Sequence, residues 1–216
     1  MTTNTIKGLI FDLDGVLVST EHNHYVAWKK TADALGIPFS HAENEQLKGL
    51  SRVDSLKAIL ALTNQSIPDA QFEALLQSKN DFYLDSIQQL NKDNLLVGVS
   101  ELLALAKEKG IQLAVGSSSK NAKFILDKLG ISSYFSAIID GNMVTYPKPH
   151  PEVFLNAAKT LGLTPADCIV FEDAASGIQA AKDGGFYAIA VGNSTIANMG
   201  DRFLNDLTEF KLSEHE

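Results

Sequence analysis

The sequence predicts an α/β fold: a Rossmann-like parallel sheet with helices on both faces, plus an inserted α-helical cap. Three observations predict it. From Ile111 onward, short apolar runs alternate with helical periodicities, the pattern of parallel strands joined by crossover helices. A matching apolar run, Leu9-Ile10-Phe11, stands alone near the start of the chain. The long interval between them carries several helical periodicities, whereas a parallel strand pair needs one crossover helix, so most of the interval reads as an insertion.

Taken in order, Leu9 to Phe11 is a buried strand that delivers Asp12, Leu13, Asp14 and Gly15 at its C-terminal end. Side chains alternate along a strand, so Asp12 and Asp14 are expected on one face, roughly 7 Å apart. Gly15 frees the backbone to leave at once. Helices follow over 22–35, 51–62 and 70–90, read from apolar spacing. Val99 to Lys109 is the crossover helix of the sheet itself, ended by Gly110 directly before the strand 111–116. The alternation then continues as helix 121–129, strand 137–139, helix 151–161, strand 168–171, helix 175–183 and strand 187–191. From about Thr195 no pattern is readable. The corresponding division is a core of 1–18 and 92–216 and a helical cap of 19–91.

Composition narrows the partners. The 216 residues are 45% hydrophobic and 20% charged, with a net charge of −8, which disfavours nucleic acid or an anionic membrane as a partner. An anionic substrate then requires locally gathered Lys and Arg. The one cysteine, Cys168, falls in an apolar run and is expected to be a buried hydrophobe in a reducing compartment. With no signal peptide and no run long enough to span a bilayer, the expectation is a cytoplasmic protein, acting as a monomer on a small molecule.

In parallel α/β sheets ligands bind at the C-terminal strand ends, and chemistry-bearing residues gather there. The strand ending at Gly116 runs into Ser117-Ser118-Ser119-Lys120-Asn121; hydroxyls and free N–H groups at a helix start suit a phosphate, and equally serve as simple N-caps. Lys148 is held between Pro147 and Pro149, either as a fixed cation or as an exposed turn lysine. Strand 168–171 ends in Glu172-Asp173. Capping explains Asp173 alone, whereas four carboxylates with one lysine at a strand-end crevice read as an Mg²⁺ site for phosphoryl transfer.

These residues, Phe11-Asp12-Leu13-Asp14-Gly15, Ser117, Lys148 and Glu172-Asp173, resemble in order and position the four motifs of the haloacid dehalogenase superfamily. The resemblance implies Asp12 as the nucleophile that forms an aspartyl-phosphate and Asp14 as general acid and base, with Ser117 and Lys148 clamping the phosphoryl group. It implies one Mg²⁺ held by Asp12, the Asp14 carbonyl and Asp173, with Glu172 acting through water. Within the superfamily, His24, Trp28, the run Gln46-Leu47-Lys48-Gly49-Leu50-Ser51-Arg52, Ser55 and Lys79-Asn80-Asp81 are similar to the cap residues of the β-phosphoglucomutase family, and Ser117, Ser118, Ser119, Lys120 and Asn121 continue the likeness. This implies a hexose phosphate under the cap, with glucose 1,6-bisphosphate as primer and Arg52 on the non-reacting phosphate. By spacing alone, His24 and Trp28 are an ordinary core stripe, and Lys48, Arg52 and Lys79 solvated helix charges.

Gly15 and Thr20 fall at the implied hinge. Three positions depart from the family pattern: Ser19 stands for an Asp, Ala174 for a Ser and Pro147 for a small residue. The resemblance implies a phosphomutase. A sugar-phosphate phosphatase is the alternative, and a binding protein without turnover is disfavoured because Asp12, Asp14, Lys148 and Asp173 are all present.

Overall fold

The structure, a computed structural model, describes residues 6–215. Six strands, β1 (Gly8–Phe11), β2 (Gln112–Gly116), β3 (Ala137–Ile139), β4 (Cys168–Glu172), β5 (Tyr187–Val191) and β6 (Arg202–Leu204), form one sheet in the order β3-β2-β1-β4-β5-β6. Every pairing is parallel. Central β1 pairs Phe11 with Val115 on one side and Phe171 on the other. The connection from β3 to β4 crosses to the far side of β1, so the sheet's switch point lies at the β1 end, where the crevice of such sheets opens.

Helices α1 (Glu21–Ala34), α2 (His41–Glu45), α3 (Arg52–Ala61) and α4 (Asp69–Ser86) form the segment between β1 and β2 that precedes the crossover helix α5 (Val99–Glu108). Helices α6 (Ala122–Lys128), α7 (Glu152–Leu161) and α8 (Ala175–Asp183) complete the alternation. Strand alternation sets two packing faces. Leu9, Phe11, Val115 and Phe171 pack with Leu102 and Leu103 of α5 and Ile125 of α6, while Ile10, Ala114 and Val170 pack with Phe154 of α7 and Ile178 of α8. Burying each such large apolar side chain contributes ~1.5–3 kcal/mol. The inserted helices enclose an apolar cluster of their own, including Trp28, Ile37, Leu56, Ile59 and Leu76. The chain leaves and re-enters the sheet side by side: Val18 and Leu95 form an antiparallel bridge, and the Leu96 N–H donates to the Leu17 carbonyl at 3.0 Å.

The predicted strands and long helices are present, with ends shifted by a few residues. Helix α4 stops at Ser86 rather than 90, where Ile87 leaves helical geometry (φ −102°, ψ 8°). Among the described residues, one α-helix and one strand went unread. Helix α2 is five mostly polar residues fixed by the reciprocal capping of Ser40 and Glu43 rather than by apolar spacing. Strand β6 is three residues at the sheet edge, too short for alternation to register. Strand β1 ends at Phe11, where its apolar run ends, and Asp14 already belongs to the turn in which the Gly15 N–H donates to the Val18 carbonyl at 2.7 Å, so the strand alternation expected to relate Asp12 and Asp14 does not extend to it.

Candidate active site

Asp12 follows β1 directly, and its N–H still donates to the Phe171 carbonyl at 2.9 Å, extending the ladder by one bond and fixing the backbone beneath the carboxylate. Lys148 reaches it from the loop before α7. The lysine Nζ donates to Asp12 Oδ1 at 2.6 Å, Glu172 Oε1 at 2.7 Å and the Gly116 carbonyl at 3.0 Å, and it lies 4.6 Å from the centre of the Phe154 ring. An exposed turn lysine is thereby excluded: the side chain is wholly buried and all three ammonium donors are used. Burial works against its charge, but Asp12 and Glu172 outweigh that and raise its pKa. Burial pushes Asp12 up to about 7, against the pull of Lys148.

Glu172 accepts from Lys148 with one oxygen and from the Ala174 N–H at 2.8 Å with the other. The Ala174 backbone thus takes part in the site although its side chain lacks a hydroxyl. Gly177 is required by this packing, since a Cβ there would lie 1.7 Å from Glu172 Oε1. Asp173 is nine-tenths buried and has no hydrogen-bond or ion-pair partner for its carboxylate among the described residues; burial and then Glu172 and Asp12 hold its pKa well above the usual range. Its Oδ2 would be 2.1 Å from a Cβ on Gly15, whose φ is +87°, so only glycine permits the approach.

An unpartnered buried carboxylate beside Asp12 and the Asp14 backbone is a hard oxygen donor set suited to Mg²⁺, and a cation there would offset the repulsion. No cluster of three or more His, Cys, Asp or Glu side chains already arranged to enclose a metal occurs among the described residues.

Asp14 faces the cap. The Thr20 hydroxyl donates to Asp14 Oδ1, and Tyr83 of α4 donates to Thr20 at 3.1 Å. His24 Nε2 lies 3.9 Å from Asp14 Oδ2, and the other ring nitrogen is 2.9 Å from Lys79 Nζ. Burial raises the Asp14 pKa, with Thr20 pulling the other way. Burial and then Arg52 push Lys79 down to about 7, and burial with the cations Lys79 and Arg52 holds His24 well below its usual value. Ser19, the departure at the hinge, makes none of these contacts; Thr20 carries the hydrogen bond to Asp14.

One cavity between core and cap is lined by Asp12, Asp14, Gly15, Asp173 and 117–121 from the core, and by His24, Trp28, Lys48, Arg52, Ser55 and Lys79 from the cap. Leu47, Gly49 and Leu50 line it as well, as do Glu21 and Asn44, which the sequence reading did not single out. Ser51 faces an adjoining cavity that Arg52 also borders, and its hydroxyl caps α3 by accepting from the Asp54 N–H at 3.1 Å. Thr20 and Glu172 support the site from behind and do not line the cavity.

The serine run forms its own turn: Ser117 Oγ accepts from the Ser119 N–H and Ser119 Oγ from the Asn121 N–H. Lys48 pairs with Glu21 at 3.1 Å and Glu45 at 3.0 Å. Trp28 both belongs to the cap's apolar cluster and lies 4.6 Å beneath Lys79.

A parallel sheet with carboxylates and a buried lysine gathered at its strand ends, beneath an inserted helical segment, defines a class of capped α/β enzymes. The chain belongs to the haloacid dehalogenase-like hydrolase family, whose model matches residues 6–185. It is 41% identical to a β-phosphoglucomutase of Bacillus subtilis over 97% of this chain and 95% of the relative. It is 32% identical to a fructose-1-phosphate phosphatase of Escherichia coli over 85% of this chain and 95% of that protein. A crystal structure of a β-phosphoglucomutase from Clostridium difficile superposes with a TM-score of 0.93 at 36% identity, covering 97% of this chain and 95% of the other.

Proposed function

We propose that this protein is a β-phosphoglucomutase, interconverting β-D-glucose 1-phosphate and β-D-glucose 6-phosphate through an aspartyl-phosphate and glucose 1,6-bisphosphate. The observation that carries the reading is that Arg52 of the cap and Asp12 of the core line one cavity. That chamber joins a bidentate phosphate binder to the attacking carboxylate, as a bisphosphate intermediate requires. The identities to β-phosphoglucomutases support it over the phosphatase alternative.

In this reading a primer bisphosphate first phosphorylates Asp12. A hydroxyl of the bound sugar monophosphate attacks the phosphorus, the bond to the Asp12 oxygen breaks, and Asp14 accepts the hydroxyl proton. The raised pKa of Asp14 suits a group that must take up a proton and return it. After the bisphosphate reorients, the other phosphoryl passes back to Asp12, and Asp14 returns the proton to the departing oxygen. Lys148 and the Ser117 hydroxyl steady the transferring oxygens, and Glu172 holds Lys148 in line. Asp12, Asp173 and the Asp14 carbonyl, with Glu172 through water, would hold a magnesium ion, which would supply charge neutralisation at the transferring group. His24, Trp28, Gly49, Leu50, Ser55 and Lys79, all bordering the cavity, line the sugar side, and Arg52 holds the phosphate that is not reacting. Closure of the cap over Gly15 and Thr20 keeps water from the aspartyl-phosphate. The reading places a monomer in the cytoplasm, in keeping with a single buried thiol and a net charge of −8.

The test is isomerisation of both glucose 1-phosphate anomers with a trace of bisphosphate primer and Mg²⁺. Turnover of the β anomer is expected. Turnover of neither anomer, or of α alone, overturns the assignment, and phosphate release without isomerisation favours the phosphatase.

A further inference from the structure

We infer that Asn44 is a sugar-binding residue of this cavity, one that distinguishes among hexose phosphates by hydrogen-bonding a ring hydroxyl; the inference rests on the function proposed above. Asn44 lies on α2, the short helix fixed by the Ser40 and Glu43 caps. It is 4% exposed, and its backbone N–H and carbonyl are engaged with Ser40 and Leu47. Its side-chain amide has no hydrogen-bond partner among the described residues, yet it borders the cavity shared by Asp14, Arg52 and Lys79.

A buried carboxamide carries two donors and an acceptor, and leaving them unpaired is costly enough that native structures rarely do so without a ligand or ordered water to complete them. Ser55 repeats the pattern from the next helix: 3% exposed, its hydroxyl also without a hydrogen-bond partner among the described residues, bordering the same cavity. Two unpaired neutral polar groups on the cap side of a cavity lined there also by Lys48, Arg52 and Lys79, by the Glu21 carboxylate and by rings and aliphatic side chains suit the neutral hydroxyls of a sugar better than its phosphates. The amide NH₂ donates to one hydroxyl oxygen and the amide oxygen accepts from a hydroxyl, with no change in charge at the site.

The test uses Asn44→Leu, near in volume and unable to hydrogen-bond, with Asn44→Ala as the second variant should the first not fold. Glucose 6-phosphate and its monodeoxy analogues serve as probes with Mg²⁺ present. If the amide awaits a ligand, the variant without sugar melts at or above the parent temperature, because an unpaired polar group has been removed. KM then rises about ten-fold with kcat within about two-fold, the scale of one buried hydrogen bond. One monodeoxy analogue binds parent and variant equally.

A melting temperature that falls while KM holds, or equal sensitivity of parent and variant to every analogue, overturns the inference and makes Asn44 a structural residue. Calorimetry separates the two readings: a parent that binds glucose 6-phosphate without isomerising it overturns the mutase and leaves this test intact, and a parent that binds no hexose phosphate overturns both.

Discussion

The hydroxyl of Ser118, on the core, donates to the carbonyl of Gly49, on the cap loop, at 2.8 Å. Beside it, Asn121 donates to Asn80 at 2.9 Å and Ser176 to the Lys48 carbonyl at 3.4 Å, so the loop 48–49 is pinned to the strand-end surface by its own backbone. Gly49 makes this contact possible. Its φ is +74°, and a Cβ there would stand 2.2 Å from Ser176 Oγ and 3.2 Å from the Ala174 methyl. Ala174, a departure in sequence, is thus part of the surface that receives the cap.

Gly49→Ala is expected to hold the cap off its seat. The left-handed backbone adds ~1 kcal/mol of strain, and the collision with Ser176 opposes closure, so kcat/KM should fall about ten-fold or more while the melting temperature changes by only a few degrees. Gly49→Ala with Ser176→Ala removes the shorter clash and should recover part of the loss. Steady-state kinetics of the single and double variants checks this, and equal activity of Gly49→Ala and parent would refute it.

The sheet was legible because each buried strand is an apolar run and each crossover helix has its own periodicity, both local properties of the chain. The site was legible only jointly: Asp12 and Lys148 are 136 residues apart, and neither is distinctive until the strand order brings both to the β1 end. What went unread has other causes. Helix α2 is specified by a capping exchange between two polar side chains, which resembles any polar turn. Asn44 adjoins the recognisable run through Arg52, but its burial comes from the tertiary packing of the cap, which no local pattern encodes.

Lys148→Met should be destabilising as well as inactive. It would leave Asp12 and Glu172 facing each other in a buried site without their shared cation, a change of the kind that costs ~3–5 kcal/mol. Adding Glu172→Gln removes one of the two charges and should restore part of the stability without restoring turnover. Urea denaturation of the three proteins measures the difference; a Lys148→Met variant as stable as the parent would contradict the ion pairing described.

Asp173→Asn should separate stability from activity. Burial and the neighbouring carboxylates Glu172 and Asp12 disfavour its charge, so the amide should raise the melting temperature in EDTA. The same change removes a proposed Mg²⁺ oxygen and should raise the Mg²⁺ concentration needed for half-maximal activity by more than the ~10–100-fold that loss of a merely supporting partner costs. Melting curves with and without Mg²⁺ check both arms: the parent should gain more from Mg²⁺ than the variant.

Lys79 should make substrate binding draw a proton from solution. Its Nζ is buried, 2.9 Å from His24 Nδ1, over the Trp28 and Tyr83 rings at 4.6 and 4.8 Å, and near enough to Arg52 to be repelled. Burial first and Arg52 second push it down to about 7. A lysine with that pKa is roughly nine-tenths neutral at pH 8, where a sugar phosphate is already dianionic. Entry of the dianion favours the ammonium form, so binding at pH 8 should take up close to one proton, and uptake should fade below about pH 6, where the lysine is already charged. Calorimetry in buffers of different ionisation enthalpy reads this directly, and Lys79→Met should abolish it. The same shift fixes a sign for stability: between about 7 and the unfolded value of ~10.4 the unfolded chain binds more protons at this site, so its contribution to the stability of the unliganded protein rises with pH across that window. Parent stability measured at pH 7 and pH 9 should therefore gain relative to Lys79→Met as pH rises, and a relative loss would show that the buried ammonium stays charged.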